Sequence, residues 1–119
     1  LWEGTVYSMM AEQPDAETPV MRKYREAFKK YGPQGERFSL FAMAGIGFSE
    51  PLVEALKRCG KDVTTERVIQ ELDKMTDFKG IFGRITFRPD DRQGQKEVYM
   101  CEALKGGKAK RLTVWIKAD

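Results

Sequence analysis

The sequence contains no histidine among its 119 residues. Without histidine the chain cannot form a Ser-His-Asp or Cys-His catalytic site, a histidine-ligated metal site or a histidine-based pH switch. We therefore expect no catalytic residue, no metal ligand and no cofactor in this chain, and a function other than that of an enzyme.

Cysteine is scarce, with two residues in the whole chain. Cys59 and Cys101 lie far apart and form neither a CxxC pair nor a zinc-type spacing. Cys59 ends an apolar helix face and Cys101 falls in a predicted strand, so both are expected to be small buried hydrophobes. A disulfide between them would suit an oxidising compartment, but two cysteines do not establish one.

Long apolar runs are also missing, because none approaches the ~20 residues that a membrane-spanning helix needs. The chain starts at Leu1 without methionine and without the segments of a signal peptide, so we expect either a removed signal or a fragment. With 41% hydrophobic and 33% charged residues, the composition is that of one small globular domain.

The net charge is only +3, but the basic residues are concentrated at 22–30 and from Lys105 onward. We interpret these stretches as a solvated helix face and a soluble turn. A phosphate-binding surface, and with it a small nucleic-acid-binding module, is the alternative. No exposed aromatic residues alternate with the basic ones to favour nucleic acid, so we expect no nucleic-acid partner.

Two short motifs have structural explanations. Gly45-Ile46-Gly47 begins like a dinucleotide fingerprint, but Glu50 stands where the third glycine or alanine belongs, and close packing of a helix backbone is the better interpretation. The adjacent Asp90 and Asp91 follow a proline and are typical of a solvated turn.

The six methionines are scattered, which favours core filling over a soft-metal site.

The pattern of the chain predicts an α/β protein in the order strand, three helices, three strands. Pro51 argues against a smooth helix between the second apolar segment and the residues after it. We expect one partial domain over 1–119, with a helical segment at 18–80 and a β segment at 81–119. The predicted elements are a strand at 4–10, a helix from Thr18 to Gly32, an apolar segment at 38–48, helices at 52–60 and from Thr64, and strands at 84–88, 98–101 and 112–116.

Several stretches resemble the C-terminal region of type I periplasmic binding proteins, the leucine/isoleucine/valine-binding family that serves ABC transporters. The segments that carry the resemblance are 53–60 (VEALKRCG), 64–72 (TTERVIQEL), 75–83 (MTDFKGIFG) and 84–94 (RITFRPDDRQG). The helix at 20–32 and the strand residues 3–6 also match, so the resemblance covers nearly the whole chain.

The resemblance implies the C-terminal segment of a two-lobed type I fold, about a third of such a protein. It further implies an exported protein, in the periplasm or at the cell surface, that binds a branched-chain amino acid or a related small carboxylate or amide between the lobes. The lobes close on this solute, and the closed form docks on an ABC permease. A ligand-sensing domain of a receptor or regulator with the same fold is the alternative.

In the family, the groups that hold the ligand's carboxylate and ammonium lie upstream of the matched region. One ligand-binding residue is implied here: Phe41 aligns with an aromatic that contacts the ligand side chain, and core packing is its alternative role. The sequence departs from the family at 45–48, which reads GIGF instead of Gly-Tyr-Asp-Ala, and at Pro51. Because the apolar faces of the three helices lack a central sheet, we also predict a homo-oligomer.

Overall fold

A computed structural model describes residues 2–117 of the chain. It is a mixed α/β structure, as expected. Its elements are β1 (Val6–Met9), α1 (Pro19–Tyr31), α2 (Leu40–Cys59), α3 (Thr65–Asp73), β2 (Phe78–Gly80), β3 (Gly83–Ile85), β4 (Glu97–Ala103), β5 (Ala109–Arg111) and β6 (Ile116–Lys117). Among the described residues, no helix is both long and apolar enough to cross a membrane.

Helix α1 begins and ends at the residues that its sequence signals indicate. The Thr18 hydroxyl accepts a hydrogen bond from the Met21 N–H at 3.3 Å, and Pro19 occupies the first helical turn. At the other end, the Gly32 N–H donates to the Phe28 carbonyl at 2.7 Å. These local bonds satisfy free backbone groups at both ends.

Helix α2 continues through Pro51 without a break, so the interruption expected there does not occur. The proline removes one backbone hydrogen bond, but tertiary contacts hold this turn. Glu50 and Pro51 are both buried, and Glu50 bonds to two other elements. Gly47, four residues before Pro51, packs so closely that a Cβ would lie 2.6 Å from the Phe82 ring, which confirms the close packing expected at this glycine, whereas a Cβ at Gly45 would meet nothing within 4 Å.

Helix α3 is shorter than expected, and the segment after it is extended. Residues Phe78–Gly80 form strand β2, which pairs antiparallel with β3 in a two-stranded hairpin. The chain turns at Asp77, whose φ of 54° is left-handed. The Asp77 N–H donates to the Thr86 hydroxyl at 3.0 Å, and this bond from the far side of the hairpin favours the turn over another helical turn. The structure therefore places a strand inside the segment predicted to be helical.

The larger sheet is built around β4, which pairs antiparallel with β1, β5 and β6. The β1–β4 register sets Tyr7 opposite Cys101. The strand predicted at 112–116 is wrong in its bounds, because β5 ends at Arg111, β6 begins at Ile116, and the chain bends between them. The bend arises because the Thr113 hydroxyl accepts the Met100 N–H at 3.0 Å, so a side chain takes the place of the next backbone partner.

The core lies between the helices and the β2–β3 hairpin. Three of the six methionines fill buried space, as expected: Met21, Met43 and Met75 have no exposed surface, whereas Met10 is 56% exposed. Ile81 and Phe82, in the hairpin turn, pack into the same cluster. Both cysteines are buried and free, which agrees with their interpretation as small hydrophobes.

Candidate functional site

The helical part of the molecule meets the larger sheet at the N-terminus of α2. The Ser39 hydroxyl accepts the Ala42 N–H at 3.4 Å and so begins the helix at Leu40. A cavity of about 320 Å³ opens between Leu40 and the sheet, a volume at the lower end for small-ligand sites. Its lining residues come from β1, the loop after β1, α2 and the β4–β5 turn: Tyr7, Met9, Gln13, Pro14, Asp15, Leu40, Gly107, Lys108 and Ala109.

The chemistry of this cavity suits a small ligand with both charged and apolar parts. Asp15 and Lys108 bring one charge of each sign, Tyr7 brings a hydroxyl, and Met9 and Leu40 bring apolar surface. Burial, and then the nearby Cys101 thiol, raises the pKa of Tyr7 above its ordinary value. Tyr7 is therefore a neutral hydrogen-bonding group at physiological pH.

Phe41 follows Leu40 at the start of α2 but is not among the residues that line this cavity, and 91% of its surface is exposed. Core packing within the described residues is therefore not its role. With so little of its surface covered, Phe41 packs against few of residues 2–117.

The loop that lines one side of the cavity is held by an aromatic cluster on the sheet. The buried Tyr99 hydroxyl donates to the Ala11 carbonyl at 2.7 Å. The pKa of Tyr99 is raised, and burial is the main cause. The Arg111 guanidinium lies 4.1 Å from the Tyr99 ring centre and 5.5 Å from that of Trp115. Sequence reasoning missed this cluster, because only the β4–β5 pairing brings Arg111 to Tyr99.

A second feature that the sequence did not predict is the buried carboxylate of Glu50. Its Oε1 accepts the Tyr24 hydroxyl at 2.6 Å, and its Oε2 accepts the Ile81 N–H at 2.8 Å. Glu50 thereby joins α1, α2 and the hairpin turn. Burial raises the Tyr24 pKa, and the hydrogen bond to Glu50 and the charge of that carboxylate raise it further. In the sequence, the one sign of this buried carboxylate is that Glu50 is an acidic residue within an apolar stretch.

The other sequence candidates have structural roles. Asp91 is in an ion pair with Lys96 in a polar turn, and this pairing, with a Gln93 backbone bond, lowers the Asp91 pKa. Within the basic stretch, Arg25 bonds to the Ala16 carbonyl at 2.6 Å and to Glu17 at 2.8 Å. The part of the chain that the structure describes contains no group of three or more cysteines and acidic residues able to hold a metal ion.

Comparison with known proteins gives a family match over most of the chain. The sequence model of the periplasmic binding protein family matches residues 2–108. No curated protein matches the chain.

Several solved structures with the same fold also match this chain. A branched-chain amino acid ABC transporter protein from Thermus thermophilus, solved with bound valine, is 27% identical with a TM-score of 0.83. The match covers 98% of this chain and 34% of that one. A substrate-binding periplasmic protein from Ralstonia solanacearum is 22% identical over 92% of this chain and 32% of its own, with a TM-score of 0.81.

A leucine-binding protein from Thermotoga maritima is 22% identical over 98% of this chain and 31% of its own, with a TM-score of 0.67. The two matches at 22% identity show likeness of the fold alone. The chain thus spans about a third of the length of the proteins it resembles. The expected type I fold and the expected family are both confirmed.

Proposed function

The chain belongs to the periplasmic binding protein family, and from this premise we propose that it is part of the solute-binding component of an ABC transporter. The solute is a branched-chain amino acid or a related small carboxylate or amide, held in a cleft between two lobes. The protein captures and releases this solute without changing it. It acts outside the cytoplasmic membrane, in the periplasm or at the cell surface, and delivers the solute to an ABC permease.

The observation that carries the proposal is the position of Phe41. The residue is 91% exposed at the start of α2, directly after Leu40, which lines a cavity of about 320 Å³ beside the sheet. An aliphatic ligand side chain gains most of its affinity from apolar surface that closes around it. Phe41 provides such a surface, and the valine bound in the Thermus thermophilus relative is a ligand of this kind.

Closure of the lobes supplies the mechanism. A ligand that contacts both sides of a cleft binds the closed form more tightly than the open form, and it shifts the population toward closure. The cavity is lined by Leu40 from α2 and by Tyr7 and Lys108 from β1 and the β4–β5 turn, so its lining comes from more than one part of the fold.

The experiment uses a chimaera in which this chain replaces the structurally equivalent third of the Thermus thermophilus protein. Calorimetry with valine and leucine is expected to show binding. Phe41→Ala is expected to weaken it about 10-fold, because roughly half of a phenylalanine's burial free energy is lost. The matched control is Tyr31→Ala, which removes an aromatic ring that is 76% exposed at the far end of α1.

The 119-residue chain alone is expected to bind amino acids weakly or not at all, since the relatives are about three times as long. Micromolar binding by this chain alone would refute that statement.

A ligand-sensing domain of a receptor or regulator is the second candidate function. It shares the fold and the solute but delivers its signal to another protein. Neighbouring genes for a permease and an ATPase favour transport, whereas a neighbouring receptor or regulator gene favours sensing.

A further inference from the structure

Two buried residues of β4 hold the loop that lines one wall of the cavity. Tyr99 and Cys101 lie two residues apart and therefore face the same side of the strand, and neither has any exposed surface. The Tyr99 hydroxyl donates to the Ala11 carbonyl at 2.7 Å. The amide Nε2 of Gln13 donates to the Cys101 Sγ at 3.1 Å. The loop is thus fixed to the sheet at two points, and the second of them, Gln13, itself lines the cavity.

The same loop is also bonded to the hairpin turn and to α1. The Glu12 N–H donates to the Ile81 carbonyl in the hairpin turn at 2.9 Å. The Arg25 guanidinium of α1 donates to the Pro14 and Ala16 carbonyls at 3.1 Å and 2.6 Å. Because three elements hold its backbone, this loop presents its side chains to the cavity from a fixed position, as a binding site requires.

The thiol of Cys101 sets which end of the Gln13 amide is left for a ligand. A glutamine amide has a nitrogen that donates and an oxygen that accepts, and its terminal torsion by itself selects neither orientation. Here the nitrogen bonds to the buried thiol. Among residues 2–117 the oxygen, Oε1, is neither hydrogen-bonded nor buried. The half-buried Gln13 therefore offers a hydrogen-bond acceptor to the cavity that it lines.

The next polar residue of this wall is an acceptor as well. Asp15 is exposed and lines the same cavity, and an ionised carboxylate only accepts hydrogen bonds. Two acceptors on one wall, one of them negatively charged, favour a cationic N–H donor and disfavour a carboxylate. The ammonium group of an amino acid is a donor of this kind.

We propose that Gln13 is a specificity-determining residue whose Oε1 accepts a hydrogen bond from the ammonium group of the solute, and that Cys101 is the positioning residue that orients it. This assignment rests on the proposed function. An ammonium group has three N–H donors, so Gln13 adds to the upstream groups that the family resemblance implies. The keto acid of valine, in which a carbonyl oxygen replaces the amino group, leaves Oε1 of Gln13 without a partner and is disfavoured.

The test measures the affinity of the chimaera for valine and for its keto acid by calorimetry. Gln13→Met preserves the length of the side chain but removes the acceptor, and it is expected to weaken valine binding about 10-fold. Binding of the keto acid is expected to be no weaker than in the parent. The matched control, Gln70→Met, makes the same change at an exposed position of α3 and is expected to leave both affinities unchanged.

The role of Cys101 is tested by rescue and by coupling to Gln13. Cys101→Ala frees the amide to rotate and is expected to weaken valine binding about 3-fold. Cys101→Ser is expected to retain the parent affinity, because its hydroxyl accepts the same bond from Gln13. The double variant Gln13→Met, Cys101→Ala is expected to bind no more weakly than Gln13→Met alone, since Cys101 acts through Gln13.

Valine affinity that does not depend on Gln13, an equal loss for valine and the keto acid, or additive losses in the double variant would overturn the proposal. If Cys101→Ala fails to fold, Gln13→Met still gives the answer, because this loop residue is only half-buried. A parent chimaera that binds neither compound contradicts the proposed function and this assignment together, whereas binding that is indifferent to Gln13 contradicts this assignment alone.

Discussion

Replacement of Glu50 by alanine tests whether this buried carboxylate joins the three elements that meet around it. The change leaves the Ile81 N–H without its partner in a residue that has no exposed surface. An unsatisfied buried donor costs about 1–3 kcal/mol. Loss of the Tyr24 bond and of the packed side chain adds about 1 kcal/mol. We therefore expect the free energy of unfolding to fall by about 2–4 kcal/mol.

The assay is urea unfolding followed by circular dichroism, with all variants at one protein concentration because self-association shifts apparent stability. Glu54→Ala is the matched control. Glu54 lies one turn further along α2, in an exposed ion pair with Arg58 at 2.9 Å, and such pairs contribute about 0.3–0.5 kcal/mol. Equal losses in both variants would refute the structural role assigned to Glu50.

Two further predictions concern the same helices. Gly47→Ala is expected to destabilise the protein by about 1–3 kcal/mol because its Cβ meets the Phe82 ring. Gly45→Ala, whose Cβ lies in open space, is expected to stabilise the protein by about 0.5–1 kcal/mol. Denaturant midpoints that move in the same direction in both variants would contradict this prediction. The Tyr24 pKa is raised in the folded state, so its contribution to stability is complete below the ordinary value of 10.0 and is lost as pH rises above it. Unfolding measured from pH 9 to 12 is expected to show a smaller loss of stability in Tyr24→Phe than in the parent chain, and equal losses would contradict the assignment.

The sequence predicted those parts of the fold that depend on local chemistry. Helix α1 is fixed by the Thr18 cap, Pro19 and Gly32, all within one stretch of chain. The continuity of α2 could not be predicted, because the contacts that offset Pro51 come from Tyr24 and Ile81, which are distant in sequence. Here tertiary bonds outweigh a local preference.

The same distinction applies to the sheet and to the candidate site. The bend between β5 and β6 depends on Thr113 reaching the Met100 backbone, a contact that alternation of residue types does not reveal. The role of Phe41 came from the resemblance to a family, and the residue's exposure came only from the structure. Tyr7 and Lys108 were not predicted, since strand pairing alone brings them to the cavity.

The affinity of the chimaera for valine and leucine, compared between the parent, Phe41→Ala and Tyr31→Ala forms, shows whether this chain forms part of a solute site. We expect saturable binding by the parent, a loss of about 10-fold on removal of the Phe41 ring, and no change on removal of the Tyr31 ring. A folded chimaera that binds neither amino acid, or one whose affinity does not depend on Phe41, would show that the proposed solute site is wrong.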